Sequence, residues 1–242
     1  MLILGLDTAT PWGTIALGDS EETFFEITLK SGKGGGEYLL SLLEHFFAKS
    51  GKDLSEVDLI AVGTGPGSYT GIRVGLAAVR GLAEGLKIPA VGISTLRIIA
   101  ENCIQAAEWV AVVLDARRGS VYAALYQNGP QGFTEYWKPS YSDIAGFSER
   151  LAELPEVMVC GDGSKIYQET LAKIPGVKVG PNQWDRPAAS NLVWIANNQW
   201  RPGMSDLLDL SPSYLRKVEA EVRLEERTNA DGNNPDETGR PK

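Results

Sequence analysis

Histidine, cysteine and long apolar runs are all scarce in this sequence. In 242 residues it holds one histidine, His45, and two cysteines, Cys103 and Cys160. A zinc or non-haem iron centre normally takes two or more His or Cys ligands, so the composition argues against a metal site of that kind. Ser-His-Asp and Cys-His catalysis would both have to run through His45, which falls inside a helical pattern, and no catalytic residue is assigned. The two cysteines have no CxxC spacing and read as buried free thiols of a reducing compartment. No apolar run approaches the roughly 20 residues that span a bilayer. The start, Met1-Leu2-Ile3-Leu4-Gly5-Leu6-Asp7, lacks the basic segment of a secretory signal, and the expected location is cytoplasmic. Positive charge is also in deficit, with 23 Lys and Arg against 31 Asp and Glu, a net charge of −8. That argues against a chain that grips nucleic acid through its own electrostatic footprint, and any role with RNA would need a basic partner.

What is present is an ordinary globular composition, 43% hydrophobic with 27 Gly and 13 Pro. The opening reads as a meander of strands at 2–7, 14–18 and 23–29, separated by turn residues. A Gly-rich stretch precedes a helix over 37–50, which Gly51 would cap. A buried strand over 58–63 leads into a glycine-dense loop and a second helix over 70–86. A short strand over 90–93 follows, and Ser94 is placed to cap a third helix running to about 106. The grammar then restarts: strands at 109–115 and 120–127 repeat the first hairpin, and helical and strand segments alternate from about 142 to 199. This predicts an α/β fold of two similar lobes, residues 1–105 and 106–217, arising from an internal duplication. Residues 218–242 are polar and predicted to be a disordered tail.

Both early helices carry more packing surface than one core requires. On the first, Tyr38, Leu39, Leu40, Leu42, Leu43, Phe46 and Phe47 fill an arc of roughly 200°, about twice what a core-facing helix needs. On the second, Ile72, Leu76, Val79, Ala83 and Leu86 form an apolar stripe flanked by Arg73 and Arg80. A further face is built from Gly71, Gly75, Ala77, Ala78, Gly81 and Gly85. Each interior glycine costs about 1 kcal/mol of helix stability relative to alanine, and close approach of another helix would account for several of them. Packing within the monomer and packing against a partner both remain open at this point.

The loop 63–71 has glycines that could bring backbone N–H groups together at a helix N-terminus. No Lys-Ser/Thr follows Gly71, so it is not a Walker A loop, and its spacing does not fit G-x-G-x-x-G. The first hairpin, with Asp7, Thr8, Thr10 and Thr14, is similar to the phosphate-binding hairpin of the actin, hexokinase and Hsp70 superfamily, and Asp115 takes the equivalent place in the second hairpin. Asp7, Thr8, Thr10, Asp115 and Arg118 are therefore candidate nucleotide contacts. An aspartate at a strand end also commonly caps the turn after it. Arg117 and Arg118 are candidates for charge contacts with a partner or a nucleotide.

Six segments together resemble the bacterial TsaB (YeaZ) family: 3–10 (ILGLDTAT), 60–75 (IAVGTGPGSYTGIRVG), 91–96 (VGISTL), 115–122 (DARRGSVY), 161–163 (GDG) and 212–216 (PSYLR). The resemblance covers residues 1–217, and Gly-Pro-Gly-Ser-Tyr-Thr-Gly is its most specific piece. It implies two actin-like (ASKHA, ribonuclease-H-like) lobes and a catalytically inert paralogue of the transferase TsaD. The implied role is accessory, in forming N6-threonylcarbamoyladenosine (t6A) at position 37 of tRNAs that read ANN codons. The implied partners are TsaD and the ATPase subunit TsaE, with a homodimer through the same helical surface when alone. tRNA would be reached through the complex, and ATP and Mg would be used by the complex, with no cofactor assigned to this chain. The helices 37–50 and 70–86 match the family's partner-binding helices. On them the interface candidates are Glu37, Tyr38, Ser41, Tyr69, Gly71, Val74, Gly75, Ala78, Gly81 and Gly85. Where many relatives read His-Ser-Glu, this chain reads Gly35-Gly36-Glu37. Alternative readings are a stand-alone kinase-like nucleotide-binding protein and a glycoprotease-type peptidase.

Overall fold

The unbroken apolar run at the N-terminus becomes a strand covered on both faces. In the computed structural model, which describes residues 1–30, 39–104, 106–130, 132–203 and 210–216, β1 (Ile3–Asp7) is buried at every position. It lies at the centre of a five-stranded sheet with β2 (Trp12–Gly18), β3 (Thr23–Lys30), β4 (Leu59–Gly63) and β5 (Ala90–Ile93). β1 pairs antiparallel with β2, Ile3 opposite Gly18, and parallel with β4, Ile3 opposite Leu59. Between these strands run α1 (Leu39–Ser50) and α2 (Tyr69–Leu86), followed after β5 by α3 (Thr95–Ala100).

The second sheet is built from β6 (Trp109–Arg117), β7 (Ser120–Gly129), β8 (Gly132–Asp143), β9 (Val157–Cys160) and β10 (Val177–Val179). Around it lie α4 (Ile144–Leu151), α5 (Asp162–Ile166), α6 (Gln168–Leu171) and α7 (Ala189–Gln199). The order β3-β2-β1-β4-β5 is repeated as β8-β7-β6-β9-β10, with an antiparallel meander on one side of the central strand and parallel pairing on the other. The expected duplication is therefore real at the level of topology.

Packing crosses the boundary expected at 105/106. Leu192, Val193 and Ile195 of α7 pack on Ile3, Ala16, Leu59 and Ala61 of the first sheet. In α3, Ile98 joins that cluster while Leu96 and Ile99 pack on Val110 and Val112 of the second sheet. The chain thus returns to its first lobe after completing the second. Three local expectations also need correction. The third helix stops at Ala100 and tightens into a 3₁₀ turn over Glu101–Cys103. Ser94 occupies its N-cap position without making a side-chain cap. The strand β8 was not foreseen. The polar tail, Glu37 and Tyr38 lie outside the described residues. No described helix is long and apolar enough to cross a membrane.

Candidate functional site

Asp7 ends β1 and is wholly buried. Its Oδ1 accepts from the Ala9 N–H at 2.7 Å and its Oδ2 from the Thr95 hydroxyl at 2.6 Å. Burial pushes the carboxyl up to about 6, against the lowering effect of the bonds from Thr95 and Ala9. A Cβ at Gly63 would lie 1.8 Å from Asp7 Oδ2, so a glycine is needed there for the carboxylate to fit. The glycine loop closes over the rest of the turn: Ser68 N–H donates to Ala9 O at 2.6 Å, and Thr8 Oγ1 donates to Gly71 O at 2.7 Å. Thr10 is buried too, and its hydroxyl is within 3.1 Å of both the Trp12 N–H and the Trp12 carbonyl. The chain's own glycine loop packs directly on this turn, so that a Cβ at Gly67 would lie 2.1 Å from the Ala9 carbonyl oxygen. In this geometry Thr8 ties the turn after β1 to α2 and Asp7 ties it to α3, while Thr10 bonds within the hairpin to Trp12.

The second hairpin is more open. Asp115 Oδ1 accepts from the Tyr167 hydroxyl at 2.9 Å and from the Arg117 N–H at 3.0 Å. Asp162 Oδ1 accepts from the Asp115 N–H at 3.0 Å, and burial raises the Asp162 carboxyl. Asp185 accepts from the Gly161 N–H at 3.0 Å and lies 3.9 Å from Lys165, yet burial still carries it up to about 6. Arg117 and Arg118 stand at the exposed tip, both with positive φ, 70° and 54°. Cys103 and Cys160 are free and buried, as expected, and share one core cluster. The bond with Cys103, and then burial, hold the Cys160 thiol well above its ordinary value. Among the described residues no group of three or more His, Cys, Asp and Glu side chains is placed to hold a metal ion.

The two helices spend most of their apolar surface on the core. Leu39, Leu43 and Phe46 of α1 are buried, as are Ile72, Leu76, Val79 and Ala83 of α2. Ser41, Glu44, His45 and Ala48 are exposed, and so are Arg73, Ala77, Arg80, Gly81 and Glu84. The small-residue face of α2 divides. Gly71 and Gly75 are buried against Thr8, with a Cβ there placed 2.0 Å from Thr8 O and 2.4 Å from Thr8 Oγ1 respectively. They are internal packing positions, which corrects their assignment to a partner surface. A Cβ at Gly81 or Gly85 meets nothing within 4 Å. Val74 and Ala78 are half-buried and Tyr69 is exposed. A groove of about 620 Å³ is lined by Ser41, Leu43 and Phe47 of α1, by Lys52, Asp53 and Leu54 after it, and by Leu82 of α2.

Sequence reasoning missed Thr95 and the role of the segment 210–216. Leu210 is buried against the first lobe, Ser213 N–H donates to Thr64 O at 2.9 Å, and Arg216 Nη1 donates to Ala116 O at 3.2 Å in the second lobe. The Pro212-Ser-Tyr-Leu-Arg216 motif carried the signal for this strap, without its position.

Comparisons with known proteins agree with this architecture. The model of the family described as "TsaD: tRNA N6-adenosine threonylcarbamoyltransferase" matches residues 35–224. The chain is 30% identical over 234 residues to the tRNA threonylcarbamoyladenosine biosynthesis protein TsaB of Escherichia coli, covering 93% of this chain and 98% of that protein. It is 32% identical to the protein of the same name from Bacillus subtilis, covering 71% and 76%. The solved structure of YeaZ from Pseudomonas aeruginosa superposes with a TM-score of 0.76 at 28% identity, covering 88% of this chain and 99% of that one.

Proposed function

This chain belongs to the TsaB group of the TsaD family, and we propose from that membership that it is an accessory subunit in forming t6A on tRNAs reading ANN codons. Its contribution is assembly rather than chemistry. It binds the catalytic paralogue TsaD through the exposed face of α1 and the Ala78, Gly81 and Gly85 side of α2, the ATPase subunit TsaE joins that pair, and the same faces pair two copies when the chain is alone. tRNA is bound by the assembled complex, which uses the ATP and Mg. The complex works in the cytoplasm.

The observation that carries the reading is the open half of α2. Gly81 and Gly85 are exposed and cost helix stability, an added Cβ at either would meet nothing within 4 Å, and Leu82 between them lines a groove with Leu43 and Phe47 of α1. Close approach of a partner helix gives those glycines a purpose. The turn at Asp7 supports a non-catalytic role, because its carboxylate is already used by Ala9 and Thr95. The test is gel filtration of the purified chain with TsaD. Wild type co-elutes with it, and Gly81→Leu, whose side chain enters open space in the monomer, remains folded and elutes apart. Co-elution of Gly81→Leu would remove α2 from the interface.

A further inference from the structure

We propose that the strap 210–216, with the arginines and tyrosines it gathers, is a contact surface for single-stranded RNA of the kind a tRNA loop presents; the proposal rests on the t6A reading above. A net charge of −8 rules out a footprint spread over the whole molecule, and the structure instead concentrates cations along one line. At its start Arg80 Nη2 donates to Leu210 O at 2.5 Å. Next, Arg73 Nε donates to the Tyr214 hydroxyl at 2.8 Å while its guanidinium lies 3.9 Å from the Tyr69 ring centre. At the far end Arg216 is bonded to Ala116 O and lies 5.7 Å from the Tyr141 ring. Ala116 runs directly into the exposed tip of Arg117 and Arg118.

Aromatic rings alternate with these cations. Tyr69 and Tyr214 lie 5.0 Å apart, tilted by 30°, and Tyr69, Tyr141 and Tyr214 are 38–40% exposed. Exposed rings between cations that track a backbone are the usual means of holding single strands, since every base has a face to stack. An arginine bonded once to the protein still carries its charge and has further N–H groups to offer a phosphate.

The hairpin tip adds an independent sign. Arg117 pairs with Ser120, which leaves Arg118-Gly119 as a two-residue turn, the type that favours Asn-Gly. Two successive arginines are held there at positive φ, unfavourable for side chains other than Gly, Asn or Asp. The neighbouring carboxylate, Asp115, is 3.8 Å from Arg117 Nε but only 15% exposed, whereas the Arg117 side chain is 84% exposed and projects its charge outward.

The experiment is fluorescence anisotropy of a labelled stem-loop RNA against the full chain, alone and with TsaD, over a range of salt concentrations. A fully paired duplex is the comparison RNA. Ultraviolet crosslinking with mass spectrometry locates the contacts. Five cationic contacts predict a slope of log K against log salt of about −3.5, since each adds about −0.7 for a single strand. Arg117→Glu weakens stem-loop binding and flattens the slope, Lys173→Glu, an equal change of charge elsewhere, leaves both unchanged, and crosslinks fall on Tyr69, Tyr141 or Tyr214. Equal effects of the two charge swaps, or crosslinks confined to other residues, would overturn the proposal. So would Arg117→Glu abolishing co-elution with TsaD while RNA binding stays intact, because the patch would then be a protein interface. If t6A falls on depletion of the chain while any of these occurs, the t6A role stands and the RNA assignment alone fails.

Discussion

Alanine at Gly81 should stabilise the protein and alanine at Gly71 should destabilise it, although both are glycines of one helix. A Cβ at Gly81 meets nothing within 4 Å, so helix propensity alone acts and the gain is about 1 kcal/mol. For a chain of this length that raises the melting temperature by roughly 2–4 °C. At Gly71 the added carbon would lie 2.0 Å from the Thr8 carbonyl oxygen, which forces β1's turn away from α2. Overpacking of that kind costs about 1–3 kcal/mol, and loss of the Thr8 hydroxyl bond to Gly71 O adds about 1 kcal/mol. The net change is a fall of several degrees. Gly75 is the informative intermediate, because its Cβ would be 2.4 Å from Thr8 Oγ1, a side-chain atom that Thr8→Ala removes. The double variant Thr8→Ala/Gly75→Ala should therefore be less damaged than the sum of the singles, by more than about 0.5 kcal/mol. Thermal unfolding followed by circular dichroism on wild type and the five variants decides it. Equal shifts for Gly71→Ala and Gly81→Ala, or strict additivity at positions 8 and 75, would refute the split of the glycine face.

Asp7 predicts a pH signature: its carboxyl, raised from 3.8 to about 6 by burial, holds its proton more tightly folded than unfolded. Its stabilising effect is full below about pH 4 and is lost as pH rises through about 6, a swing of about 3 kcal/mol; Asp7→Asn should flatten that part of a melting profile taken from pH 4 to 8, and a profile as steep as wild type's would contradict the assignment. Ser68 Oγ accepts from the Gly71 N–H at 3.2 Å as the N-cap of α2, so Ser68→Ala should cost about 1 kcal/mol in denaturant unfolding. With the glycine loop packed on the Asp7 turn, calorimetric titration of Mg-ATP onto the isolated chain should give no binding heat, and micromolar affinity would favour the kinase-like alternative.

Local elements were legible where the chain announces both their ends. β1 and β4 are apolar runs stopped by Asp7 and Gly63, and α2 begins at a capping serine. β8 was hidden because Lys138, Pro139 and Ser140 break its alternation, which an edge strand tolerates. The glycine face misled for a geometric reason: on a wheel at roughly 100° per residue, Gly71, Gly75, Gly81 and Gly85 spread over an arc of roughly 120°. One end of that arc turns under the hairpin and the other opens outward, and periodicity alone does not show where the boundary falls. The return of α7 to the first sheet and the crossing of the strap between lobes are tertiary facts with no local pattern. Asp7 is a candidate from its position, but its partner Thr95 lies 88 residues away, and the 91–96 segment that contains it carries no sign of the contact.

The central claim is tested most directly by quantifying t6A in digested total tRNA from host cells depleted of this protein, using liquid chromatography and mass spectrometry. The account predicts a fall in t6A that the wild-type chain restores and a folded Gly81→Leu chain does not. An unchanged t6A level after depletion would contradict it.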